Sequence, residues 1–128
     1  MAEVKFERED EIVVAVLTGE VDMSNATSVR QQIAEFVTPA DHALIVDLSE
    51  LSFIDSAGLH AMIELGTVLE ERRQQLLLCV PDGSQTRRAI EIIGMPGAVS
   101  VHSRKKDATE AARASAMESR PIGPDENG

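Results

Sequence analysis

Three short aliphatic runs, Ile12–Leu17, Leu44–Leu48 and Leu76–Val80, constrain this chain more than any other feature. Asp47 apart, each is apolar and bounded by polar or turn-forming residues, the pattern of strands buried on both faces. Segments with helical spacing lie between and after them. Ala26, Val29, Ile33 and Phe36 or Val37 recur at that spacing in the first. Leu59, Met62, Ile63, Gly66 and Leu69, with Leu65 and Val68 alongside, do so in the second. A third, after Ser84, carries Ile90 and Ile93. Strands alternating with helices imply right-handed βαβ units and a mostly parallel sheet.

The remaining elements complete the order β-β-α-β-α-β-α-β-α. Val4 and Phe6 alternate with Lys5 and Glu7, as in an edge strand with one wet face, and Glu9-Asp10-Glu11 turns it into a hairpin with the first aliphatic run. Thr18-Gly19-Glu20-Val21-Asp22 reads as a loop, Ser24 or Asn25 as a helix cap, and Pro39 as a helix stop. A short link, 49–55, follows the second run. Gly94 with Pro96 ends the third helix, Ala98–Val101 is a short last strand, and Asp107 with Glu110 resembles a capping box. The final helix is alanine-rich (Ala108, Ala111, Ala112, Ala114) and should pack lightly. The expectation is a single α/β domain over residues 1–117 with a mixed, mostly parallel five-stranded sheet, and a disordered tail over 118–128, where Pro, Gly and charged residues dominate.

Composition narrows the function. A net charge of −10 disfavours nucleic acid and anionic membranes as partners and suits a protein partner with a basic surface. With three phenylalanines and no Trp or Tyr, the chain has no stacking platform for single strands. The lone Cys79 sits inside an aliphatic run and reads as a small core residue. The start lacks the apolar core of a signal peptide, and no apolar run approaches the roughly 20 residues that span a bilayer. A cytoplasmic protein is the simplest reading.

The residues able to carry chemistry gather at Asp55-Ser56-Ala57-Gly58, where the chain passes from the central run into a helix. The pattern is not a Gly-x-Ser-x-Gly elbow; His60, four residues on in the same helix, could approach the Ser56 hydroxyl, but nothing else suggests a triad, and His42, His60 and His102 are too scattered to form a metal set. No phosphate-binding loop or dinucleotide fingerprint occurs, so no cofactor is expected. A receiver-like phospho-acceptor aspartate at Asp47 or Asp55 is the weaker alternative, because the acidic pair and the lysine of such a site are not where they belong. Ser56 as a substrate fits better. A serine at a helix start is reachable, Ala57 and Gly58 leave room for another active site, and a phosphate there meets free N–H groups and the favourable end of the helix dipole. Ser56 could equally be a simple cap, a role that Asp55 fills as well. His60, Glu64, Thr67 and Glu71 form a polar stripe along the same helix, by default a solvated face.

Ile45-Val46-Asp47-Leu48 and Leu51-Ser52-Phe53-Ile54-Asp55-Ser56-Ala57-Gly58-Leu59, with Leu17-Thr18-Gly19-Glu20-Val21-Asp22, resemble the signature of STAS domains, and more narrowly that of bacterial anti-sigma factor antagonists. The resemblance covers about residues 4–115. It implies a partner switch and no enzyme activity. On that resemblance, the unphosphorylated protein would bind an anti-sigma factor that is a serine kinase, that kinase would phosphorylate Ser56, and a PPM-type serine phosphatase would reset it. It also implies that Gly19, Glu20 and Asp22 lie beside the serine, so that they, with Asp55, Ala57, Gly58, His60 and Glu64, are candidate partner contacts. Two positions depart from the commonest pattern: Ala57 stands where many members carry Ser or Thr, and His60 where glycine is frequent. Some members are never phosphorylated and serve as interaction modules of other signalling or transport complexes.

Overall fold

The computed structural model describes residues 1–97 and 99–119. Its elements run β1 (Ala2–Glu9), β2 (Ile12–Val21), α1 (Ala26–Phe36), β3 (Ala43–Asp47), β4 (Leu51–Ile54), α2 (Ser56–Glu71), β5 (Gln75–Cys79), α3 (Gln85–Ile93), β6 (Val99–His102) and α4 (Lys105–Ser119). The main path of the sheet is β1-β2-β3-β5-β6, and only β1 runs antiparallel to its neighbour. The strip 120–128, and with it most of the tail expected from residue 118, lies outside the described residues, as does Ala98 at the start of the last expected strand.

Two expectations change together. The sheet has six strands, not five, because Leu51–Ile54 is a strand rather than a link. Thr18–Val21 is not a loop but the second half of a ten-residue β2. The first half of β2, Ile12–Val16, pairs in parallel with β3, and its far end, Gly19–Val21, pairs with β4 across a register irregularity between Gly19 and Glu20. A four-residue strand bonded on one side, with burial that does not alternate, carries no period-2 signal to read.

Alternation along the strands splits the aliphatic side chains between two faces. Val13, Ala15 and Leu17 of β2, Leu44 and Val46 of β3, and Leu76 and Leu78 of β5 join Val29, Ile33, Leu59, Met62, Leu65 and Leu69 in the larger core, under α1 and α2. Burying each of the Val, Leu, Ile and Met side chains contributes about 1.5–3 kcal/mol. Ile12, Val14, Ala43, Ile45 and Leu77 face the other way, against Ala108 and Ala112 of α4. The alanine-rich helix therefore does cover the sheet, its apolar contacts being the methyl groups of Ala108, Ala111 and Ala112. It starts at Lys105, so Asp107 lies in its first turn and bonds Arg104, and no capping box forms with Glu110. In α3, Ile90 is buried as expected and Ile93 is exposed. Ser84 caps that helix by accepting from Arg87 N–H at 3.0 Å.

At the edge of the larger core the chain is clasped. Arg8 of β1 donates from Nε and Nη2 to the two oxygens of Asp41, each at 2.8 Å, and from Nη2 to the Phe36 carbonyl at 2.9 Å. Its guanidinium lies 4.6 Å from the centre of the Phe36 ring, which stacks in turn on Phe6. Asp41 is buried and also accepts from the N–H and hydroxyl of Thr38. Burial pushes its carboxyl upward, but the Arg8 and Thr38 donors outweigh that and hold it below the usual carboxylate range.

Candidate functional site

β2, β4 and α2 converge on Ser56. Parallel pairing sets Glu20 beside Phe53 and Val21 beside Ile54, and the Asp55 N–H then donates to the Val21 carbonyl at 3.2 Å. Beyond that bond the chain turns into α2. Asp55 is its N-cap, with one carboxylate oxygen accepting from Gly58 N–H at 3.0 Å. The other accepts from the backbone N–H of Met23 at 3.2 Å. This second bond ties the loop after β2 to the start of α2. The capping role that the sequence left open between Asp55 and Ser56 belongs to Asp55.

Two glycines let the segments approach. A Cβ at Gly58 would stand 2.5 Å from Ile54 Cγ1 and 3.0 Å from Val21 Cγ1, so the first turn of α2 rests directly on β2 and β4. Gly19 has φ +90, and a Cβ there would meet the Met1 carbonyl oxygen at 2.2 Å. The Met1 carbonyl accepts from Glu20 N–H, and the terminal ammonium lies 3.9 Å from the Glu20 carboxylate.

The loop beyond β2 is held by its own polar side chains. Asp22 accepts from the N–H and the hydroxyl of Ser24, at 2.9 and 2.5 Å. These bonds, the hydroxyl's above all, hold its carboxyl below the ordinary range. Asn25 accepts from Asp22 N–H and donates to the Glu20 carbonyl, both at 2.9 Å. Asn25 is the N-cap position of α1, yet its side chain serves this loop and not the helix.

Three serines lie between residues 49 and 56, and their hydroxyls differ. Ser49 donates to Asp47 at 2.6 Å, and Ser52 donates to the Gly19 carbonyl at 2.9 Å. Ser56 is exposed at the first position of α2, and its hydroxyl has no partner among the described residues. The first N–H groups of a helix lack an intrahelical acceptor, so Ser56 sits where backbone donors point outward. His60 and Glu64 follow on the exposed stripe, and Arg30 of α1 reaches Glu64, Nε to Oε1 at 3.3 Å. Ala57 is half-buried, packed against the larger core. Gly58 is buried beneath the site.

Two residues escaped the sequence reading. Met23, 82% exposed, and Phe53, 51% exposed, are apolar side chains held out beside Asp55. Only the β4 register and the Met23–Asp55 bond bring them to the site. A shallow groove of about 230 Å³ runs alongside, lined by Leu51, Ser52, Phe53 and Ile54 with Ser84, Gln85 and Thr86.

The other candidate chemistries find no assembly here. Asp47 is buried, and its carboxylate accepts from the N–H and hydroxyl of Ser49 in the turn after β3. Among the described residues, the Ser–His hydrogen bond joins Ser100 to His102 on β6, at 3.0 Å, and does not involve Ser56. Among the described residues no three His, Cys, Asp or Glu side chains are placed to hold a metal, and no helix is long and apolar enough to cross a membrane.

The serine stands exposed at a helix start, seated on a six-stranded mixed sheet and fenced by the loop of a neighbouring strand, on an open surface rather than in a cleft. The family model that matches residues 3–108 is that of the STAS domain, and the chain belongs to this family. It is 34% identical over 103 residues to the anti-sigma-F factor antagonist RsfB of Mycobacterium tuberculosis, covering 78% of this chain and 82% of that protein. Its fold matches an anti-sigma factor antagonist from Mycobacterium paratuberculosis with a TM-score of 0.75, at 27% identity, over 88% of this chain and 95% of the other. It also matches SpoIIAA in its unphosphorylated form, with a TM-score of 0.65 at 24% identity, over 87% and 98% of the two chains. SpoIIAA of Bacillus has been solved in its phosphorylated form too.

Proposed function

We propose that this chain is an anti-sigma factor antagonist switched by phosphorylation at Ser56. Unphosphorylated, it binds an anti-sigma factor serine kinase through Ser56 and its surroundings, and so frees a sigma factor. The kinase then transfers the γ-phosphoryl group of ATP. The bond to the β-phosphate oxygen breaks, the Ser56 Oγ–P bond forms, the hydroxyl proton passes to a base of the kinase, and ADP leaves. The added charge of about −1.5 to −2 disrupts the interface. A PPM-type phosphatase hydrolyses the ester and restores the binding form.

The observation that carries this reading is the contrast among the three serines. The hydroxyls of Ser49 and Ser52 are spent on internal bonds, and Ser56 alone of the three is exposed and unengaged. The relative named an anti-sigma-F factor antagonist supports the choice of partner, and the solved pair of SpoIIAA forms supports the two-state switch. Met23 and Phe53 supply apolar contact area beside the serine, the type of residue that anchors an interface. Asp22, Glu20 and Gly19 form the rim on the β2 side, and Asp55, Ala57, Gly58, His60 and Glu64 the α2 side.

The test is incubation with the cognate kinase and ATP, followed by peptide mass spectrometry. Phosphate is expected on Ser56, and phosphate on Ser49 or Ser52 instead would overturn the assignment. Ser56→Asp is expected to abolish retention of the kinase in a pull-down while leaving the circular dichroism spectrum unchanged, since a helix N-terminus tolerates the negative charge.

A further inference from the structure

The pole that receives the phosphate is poor in cations. From Glu9 to Glu71 the sequence contains a single lysine or arginine, Arg30. Arg30 faces Glu64, and the terminal ammonium lies near Glu20. Asp55 is the immediate neighbour of Ser56, and Asp22 lies in the loop tied to it. β4 carries no charge, and Glu50 precedes it. At the start of α3, Arg87 is held by the Val80 carbonyl, Asp82 and Glu91, while Arg88 points to solvent. A phosphate on Ser56 would therefore meet two carboxylates and the backbone donors of α2, with no free lysine or arginine on its own helix face.

His60 fills that gap. It lies four residues after Ser56 on α2, and positions i and i+4 are neighbours on a helix surface. Its side chain is exposed and has no hydrogen bond or ion pair among the described residues. Glu64, one further turn on, is the natural competitor for it but is already engaged by Arg30.

We infer that His60 is the built-in counter-ion of phosphorylated Ser56, donating a ring N–H to a phosphate oxygen and making the phosphorylated state proton-linked. This rests on Ser56 being the acceptor. Imidazole and the second ionisation of a phosphoserine titrate in the same pH range, so the pair forms over the interval where both groups carry charge. A neighbouring cation favours the dianion, which lowers the midpoint of the phosphate's second ionisation. The pair is therefore populated most between the two midpoints, and its stabilisation is lost as pH falls through that of the phosphate. His60 acts on the phosphate and is a positioning residue, not part of any catalytic set.

The full chain is made with phosphoserine incorporated at position 56 during synthesis, and its ³¹P resonance is titrated from about pH 5 to about pH 8 at low salt. The midpoint is expected to rise by about 0.3 pH unit in His60→Gln and to return in His60→Lys. High salt should shrink the difference. Equal midpoints in the parent and His60→Gln overturn the inference. The phosphate is installed without a kinase, so failure of any kinase to modify Ser56 would sink the functional reading and leave this result standing.

Discussion

The carboxylate of Asp55 accepts a hydrogen bond from the backbone N–H of Met23 at 3.2 Å, joining residues 32 apart in the chain. Its second oxygen caps α2 through Gly58. One side chain thus sets both the start of the serine-bearing helix and the position of the loop beside it. Asp55→Ala should cost about 1 kcal/mol through the lost cap, read as a lower urea midpoint. The Met23 amide should also exchange with solvent faster. Unchanged exchange at Met23 would show that the loop holds its place without the tether.

Gly58 is a packing requirement. In an open helix, Gly→Ala stabilises by up to about 1 kcal/mol. Here the new methyl would meet Ile54 Cγ1 at 2.5 Å and Val21 Cγ1 at 3.0 Å. Gly58→Ala should therefore destabilise by about 1–3 kcal/mol, the usual cost of overpacking. Chemical denaturation gives the sign directly, and a stabilised variant would refute the close approach.

The clasp at Asp41 predicts a pH response. Its carboxyl is held below the ordinary value in the folded chain, so its contribution to stability is present above the unfolded carboxylate range and is lost as pH falls through the folded value. Arg8→Gln removes the charged, two-pronged donor and leaves a buried carboxylate with Thr38 alone. That variant should be less stable at neutral pH, and its deficit should narrow in acid as Asp41 takes up a proton. Denaturant midpoints across an acid series test this, and a deficit independent of pH would assign Arg8 to packing on Phe36 alone.

Cys79 should be inert while the chain is folded. Burial first, and then the neighbouring Asp47, push its thiol up to about 11, and the side chain is almost fully covered. Alkylation near pH 8 is expected to proceed only as fast as the molecule opens, accelerating in step with added urea. Rapid labelling without denaturant would contradict the packing of β5.

Much of this was legible in the sequence, for identifiable reasons. The runs at Ile12, Leu44 and Leu76 announce buried parallel strands because both faces of those strands are covered. Ser56 stands out because it opens a helix between an acidic cap and two small residues. What escaped is what depends on a neighbour. β4 becomes a strand only by pairing with the end of β2, and Thr18–Val21 looks like a loop until that pairing is seen. Met23 and Phe53 lie thirty positions apart and come to the same end of the molecule only through that register and the Met23–Asp55 bond. Asn25 reads as a helix cap, but its carboxamide is already engaged with Asp22 and Glu20.

The two faces of the sheet are unequally guarded. Beneath α1 and α2 the larger core interlocks, whereas α4 lies on Ile12, Ile45 and Leu77 with little more than Ala108 and Ala112. Exposed ion pairs from Lys105 to Glu7 and from Arg113 to Glu9 and Asp10 add little to that grip, so α4 should detach in local unfolding before α1 and α2 do. The surface then bared is a flat aliphatic one, prone to pairing with copies of itself. It lies on the face of the sheet opposite the core that supports α2. The covering of the two faces is thus separable, and the anchoring of α4 can be strengthened without altering the surface around Ser56.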